Sequence, residues 1–66
     1  MDFKERLVEL RKDKELSQRQ LSKQTGISIS TIEKWEMGNR EPNAHTLKIL
    51  AKFFNVTAGY LLGLEN

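Results

Sequence analysis

The chain has 66 residues and no cysteine, which excludes a disulfide framework or a cysteine metal site and leaves it near the lower size limit for a core without staples. No apolar run approaches the ~20 residues needed to cross a bilayer and nothing resembles a signal peptide, so the expectation is a soluble, cytoplasmic protein with one domain over residues 1–66. Its 11 Lys+Arg against 9 Asp+Glu leave a formal charge of +2, a mild basic bias that argues only weakly for a nucleic-acid partner.

Phe3, Leu7 and Leu10 recur at helical spacing, with Val8 beside them, which predicts an amphipathic helix over residues 2–12. Asp2 and Glu5 can cap its start. The run RKDKE at 11–15 reads as a solvated helix end and loop. Ser17 and Gln20 then form a capping-box pattern, with Leu16 and Leu21 at staple spacing. A short second helix follows, and Gly26 supplies the positive φ that ends it.

A third helix starts at once. Ser28 is its expected N-cap, Ile27 and Ile32 repeat the staple, and Ile32 and Trp35 share one face. Gly38 is the next stop signal, and residues 39–42, NREP, read as a loop. Asn43 can cap a fourth helix whose inner stripe is Leu47, Leu50, Ala51 and Phe54. Thr57 can cap a last short helix, with Val56 and Leu61 as its staple, Leu61 and Leu62 closing the core and Gly63 as its end. The predicted fold is all-α, a compact arrangement of five helices, and no segment alternates as a strand would.

Helices at about 17–25 and 28–37, joined by a turn at Gly26, form a helix-turn-helix arrangement. With Ile32 and Trp35 inward, a 100° step puts Ser30, Glu33, Lys34 and Met37 on the opposite face, with Ile29 at its edge. Poor helix formers at the start of this helix, Ser28, Ile29, Ser30 and Thr31, make sense if it enters a DNA major groove. Short hydroxyls approach base edges, Ile29 can pack on a thymine methyl, and Lys34 can reach a guanine or a phosphate. Ser28 alone is better explained as a cap; it is the set together that points to the groove. Glu33 can accept from cytosine or stay in solvent and repel misplaced phosphates.

LSQRQLSKQTGISISTIEKWEMGNREP, together with LAKFFNVTAGYLL, resembles the lambda-repressor-like helix-turn-helix family of phage repressors and Cro proteins, from Leu7 to Leu62. Gln18, Leu21, Gly26, Ile27, Ile32, Trp35, Glu36, Gly38 and Pro42 sit where the family pattern expects them. Three positions depart from it: Ser22 replaces a small apolar residue, Thr25 an aliphatic one, and Glu15 stands in a turn often held by Gly. The resemblance implies double-stranded DNA as partner, no cofactor and no metal. It implies Ser28, Ile29, Ser30 and Lys34 as base-facing, and Gln18, Asn39, Arg40 and Asn43 as phosphate-facing. It also implies an internal ion pair between Arg11 and Glu36. His45, the only histidine, has no ligand partners at metal spacing and is expected exposed in the first turn of the fourth helix.

The closing segment holds more apolar surface than a tail needs. Tyr60 and Leu64, beside the small Ala58 and Gly59, suggest a homodimer contact, and the resemblance points the same way. The alternative is that Tyr60 packs on its own chain. These expectations add up to a transcriptional regulator, a repressor acting as a dimer on a palindromic operator. An antitoxin that binds both DNA and a toxin is the second reading, and a protein-interaction module without DNA binding is the third. No nucleophile–base pair, phosphate loop or ligand cluster suggests an enzyme.

Overall fold

The structure is a computed structural model and describes residues 1–65. Each helix starts on a side-chain oxygen that satisfies a backbone N–H with no partner inside the helix. Asp2 opens α1 (Phe3–Asp13), Ser17 opens α2 (Gln18–Thr25) and Ser28 opens α3 (Ile29–Met37). Asn43 opens α4 (Ala44–Phe54) and Thr57 opens α5 (Ala58–Leu61). Asp2–Glu5 and Ser17–Gln20 are reciprocal capping boxes, and Thr46 completes a third with Asn43. The Asp2 carboxyl is held below the ordinary Asp range, chiefly by the Glu5 N–H. Its contribution to the cap is therefore present at neutral pH and is lost as pH falls through that lowered value.

The apolar stripes meet in one core. Leu7, Leu21, Ile32, Leu50 and Leu61 are fully buried around Trp35, with Ile27 and Phe54 completing the cluster. Phe3 meets Trp35 edge-on, with ring centroids 5.7 Å apart. Helix α1 packs on α3 and α5, and α2 packs on α3 and α4, so the helix-turn-helix pair rests on a scaffold from both ends of the chain. No strand occurs among the described residues.

The turn between α2 and α3 explains two departures from the family pattern. Gly26 takes the left-handed conformation at φ +76, and its N–H donates to the Ser22 carbonyl at 2.9 Å. The Ser22 hydroxyl donates to the Ile27 carbonyl at 2.6 Å. The Thr25 hydroxyl donates to the Leu21 carbonyl at 2.7 Å and accepts from the Ile27 N–H at 3.3 Å. The two hydroxyls thus bond the backbone of a turn that would otherwise leave polar groups half-buried.

The third departure, Glu15, has φ +56. A residue with a Cβ is disfavoured there by about 1–2 kcal/mol. Glycine's greater freedom in the unfolded chain offsets about 0.5–1 kcal/mol of that. Glu15→Gly is therefore expected to raise the urea midpoint modestly with an unchanged slope; a lower midpoint would show that the Glu15 side chain contributes more than its backbone costs.

One expectation is corrected at the C-terminal end. Leu61 is buried, but Leu62 is 37% exposed, because α5 is a single turn and Leu62 is its C-cap rather than part of an inward stripe. Gly63 ends the helix as expected: at φ +79 its N–H donates to the Tyr60 carbonyl at 3.1 Å and the Leu64 N–H donates to the Gly59 carbonyl at 2.8 Å, and a Cβ there would also collide with the Met1 carbonyl. Arg11 also departs from the solvated character expected of the 11–15 run, since its side chain is turned inward.

Candidate nucleic-acid interface

Arg11 and Glu36 form a two-pronged ion pair between α1 and the end of α3. Arg11 Nε donates to Glu36 Oε2 at 2.7 Å and Nη2 donates to Oε1 at 2.9 Å. The third arm, Nη1, donates to the Leu16 carbonyl at 2.8 Å and so holds the loop before α2. The pair is largely removed from solvent, with the side chains 13% and 8% exposed. The bond to Glu36 raises the Arg11 pKa above its ordinary value.

Glu36 does a second job that spacing could not reveal. Its Oε1 also accepts from Gln18 Nε2 at 3.1 Å, across 18 residues of sequence. The first residue of α2 is thereby tied to the last turn of α3. One N–H of the Gln18 amide is used internally; the other, with the unpaired backbone N–H groups of the α2 start, is left to a ligand.

Gln18, Ser30, Glu33, Lys34, Glu36 and Met37 line one open groove. The structure thus brings Ser30 and Lys34 together with Gln18 on one surface, and both are exposed. Ile29 is half-buried at its edge. Ser28 is exposed but engaged as a cap, its Oγ accepting the Thr31 N–H at 3.2 Å and lying 2.9 Å from Thr31 Oγ1. Met37, 64% exposed, joins the groove although it carried no role in the sequence reading beyond its face.

The loop after α3 lines a separate cleft, with Gly38, Arg40, Glu41 and Pro42 beside Phe3 and Trp35. Gly38 caps α3 at φ +79, and the Asn39 N–H donates to the Lys34 carbonyl at 2.9 Å. Asn39 and Arg40 are exposed. Arg40 leans back toward the start of α3, with Nη1 3.5 Å from Thr31 Oγ1. Thr31 therefore sits between the Ser28 cap and the Arg40 guanidinium, a link the sequence pattern did not suggest. Asn43 spends its Oδ1 on the Thr46 N–H at 2.9 Å and on the Thr46 hydroxyl at 3.0 Å. Its amide N–H groups remain for another acceptor.

The dimer candidates lie on α5 and in the residues after it. Ala58 is exposed, and Leu64 is 78% exposed. Tyr60 is half-buried, with the Arg6 guanidinium 3.9 Å above its ring. Arg6 Nη2 also donates to the Glu65 carbonyl at 2.9 Å, so one face of Tyr60 is already occupied within the chain. His45 is exposed in the first turn of α4.

The helix-turn-helix family model matches residues 7–61. This chain belongs to the lambda-repressor-like helix-turn-helix family. It is similar to the HTH-type transcriptional activator BcrR of Enterococcus faecalis, 46% identical over 65 residues that make up 98% of this chain and 32% of that protein. It is also similar to the HTH-type transcriptional regulator AnsR of Bacillus subtilis, 41% identical over 61 residues, 92% of this chain and 53% of that protein. The chain thus spans between a third and about half of the length of these relatives. No helix among the described residues is long and apolar enough to cross a membrane.

Proposed function

We infer that this chain is the DNA-reading part of a transcriptional regulator, laying α3 in the major groove of double-stranded DNA. The observation that carries the reading is the groove itself. Polar groups able to meet base edges, Ser30 and Lys34, share it with Gln18 at the start of α2. Serine and lysine at a helix's leading side match the donors and acceptors that bases present there. A protein-docking face would instead show a broad apolar patch, and Met37 is the single large apolar side chain exposed on α3.

In this reading Ser28, Ile29, Ser30 and Lys34 face bases. Gln18, Asn39, Arg40 and Asn43 face phosphates and fix the register. The relatives are bacterial regulators, and a regulator of that kind works in the cytoplasm. One such domain makes few contacts, and pairing across a two-fold axis doubles them. Exposed Leu64 and Leu62, with Ala58 beside half-buried Tyr60, favour α5 and the residues after it as the dimer contact. The operator is then an inverted repeat whose half-sites lie about 34 Å apart, one turn of DNA. Repression follows where that site overlaps a promoter, and activation where it lies beside one; one relative is named an activator.

The test is selection of bound duplexes from a random pool, followed by sedimentation of wild type, Leu64→Ala and Tyr60→Ala on the selected site. An inverted repeat bound by two chains, with cooperativity lost in the variants, is the expected result. A selected site without symmetry would sink the dimer. Failure to enrich any sequence would sink the DNA reading.

A further inference from the structure

Lys4 lies 34 positions before Gly38, and nothing in its sequence neighbourhood connects it to the interface. It is exposed in the first turn of α1. In the fold its side chain crosses the end of α3: a Cβ built on Gly38 would stand 3.3 Å from Lys4 Cδ and 3.7 Å from Nζ. The bare backbone of Gly38 is what lets the lysine stem pass over it. The ammonium is thereby delivered to the root of the loop that carries Asn39 and Arg40. Lys4, Gly38 and Arg40 line one cleft over Trp35.

We propose that Lys4 is a further phosphate-binding residue of the DNA interface, closing a rim with the neutral Asn39 and the cationic Arg40 along the end of α3. The proposal rests on the DNA-binding reading above. Arg40 reaches toward Thr31 near the α3 start, and Lys4 crosses the loop at Gly38. The two cations thus line one cleft from separate points of the chain. Among the described residues, neither has a carboxylate within ion-pair distance. Asp2 and Glu41 also line the cleft; Asp2, which caps α1 through the Glu5 N–H, pulls electrostatically on Lys4 without pairing with it. A strongly hydrated ammonium on a flexible stem acts as a point charge for a phosphate, which needs no fixed fork.

The competing role for Lys4 is structural, a positive charge over the negative end of the α3 dipole. The two roles separate by experiment. Wild type, Lys4→Gln and Lys4→Arg are titrated on the selected duplex over a range of salt, and their unfolding is followed in urea. Lys4→Gln is expected to weaken binding to all sequences alike. It should make the slope of log K against log salt shallower by about 1 for each Lys4 in the complex. Lys4→Arg should keep the wild-type slope. Bound duplex should also slow acetylation of the Lys4 amine, read by mass spectrometry. An unchanged slope in Lys4→Gln, with or without a lower urea midpoint, overturns the proposal. If wild type binds no duplex at all, the DNA reading has failed, and this failure is visible before any variant is made.

Discussion

Arg11→Ala is expected to destabilise the fold by about 3–5 kcal/mol, the typical cost of stranding one partner of a buried ion pair. In a chain of this size that is most of the available stability. Glu36 would keep its charge with its side chain 8% exposed, and only the Gln18 amide would be left to satisfy it. The Leu16 carbonyl would lose its donor as well. Arg11→Ala with Glu36→Ala should cost clearly less than the two single changes added together, because removing both charges strands neither. Arg11→Lys should fall between wild type and Arg11→Ala, since an ammonium cannot serve two carboxylate oxygens and a carbonyl in three fixed directions. A double-mutant cycle in urea measures the coupling. Coupling near zero would mean that the contacts of 2.7 and 2.9 Å do not persist in solution.

This pair also shows where reading the sequence stops. Caps sit at fixed offsets from the helices they open, so Asp2–Glu5, Ser17–Gln20, Ser28, Asn43 and Thr57 are legible residue by residue. Periodicity likewise marks Leu7, Leu21, Ile32, Trp35 and Leu50 as core. The Arg11–Glu36 pair spans 25 residues, and no local rule reaches that far; only the family resemblance suggested it. Nothing suggested that Gln18 would join it, nor that Arg6 would stack on Tyr60 and bond the Glu65 carbonyl 59 residues away. Leu62 was misread for a related reason. Its hydropathy matches that of Leu61, and only the end of the helix after one turn turns it outward. Composition is equally silent, because a net charge of +2 does not reveal that Lys4 and Arg40 line one cleft.

The groove and the rim should separate in binding data. Lys34→Ala and Ser30→Ala are expected to change which duplexes bind. Gln18→Ala and Arg40→Ala should weaken all duplexes by a similar factor. The reasoning is positional: Ser30 and Lys34 stand on the exposed face of α3, while Arg40 lies on the loop beyond it. Losing a base-edge contact should cost about 1–3 kcal/mol in each half-site, and only for the base that was read. At that position the variant should no longer distinguish the four base pairs, while its preferences elsewhere stay intact. Arg40→Ala should instead leave every preference in place and make the salt dependence shallower by about 1 per chain. Gln18→Ala carries a complication of known sign, because it also removes a bond to Glu36. Its urea midpoint should fall slightly, and the uniform loss of affinity should exceed what the fraction unfolded explains. The measurement is the affinity of each variant for a panel of operators changed at one base pair at a time. If Lys34→Ala lowered all members of the panel equally, Lys34 would belong to the phosphate rim, and the base-reading surface would narrow to Ser28, Ile29 and Ser30.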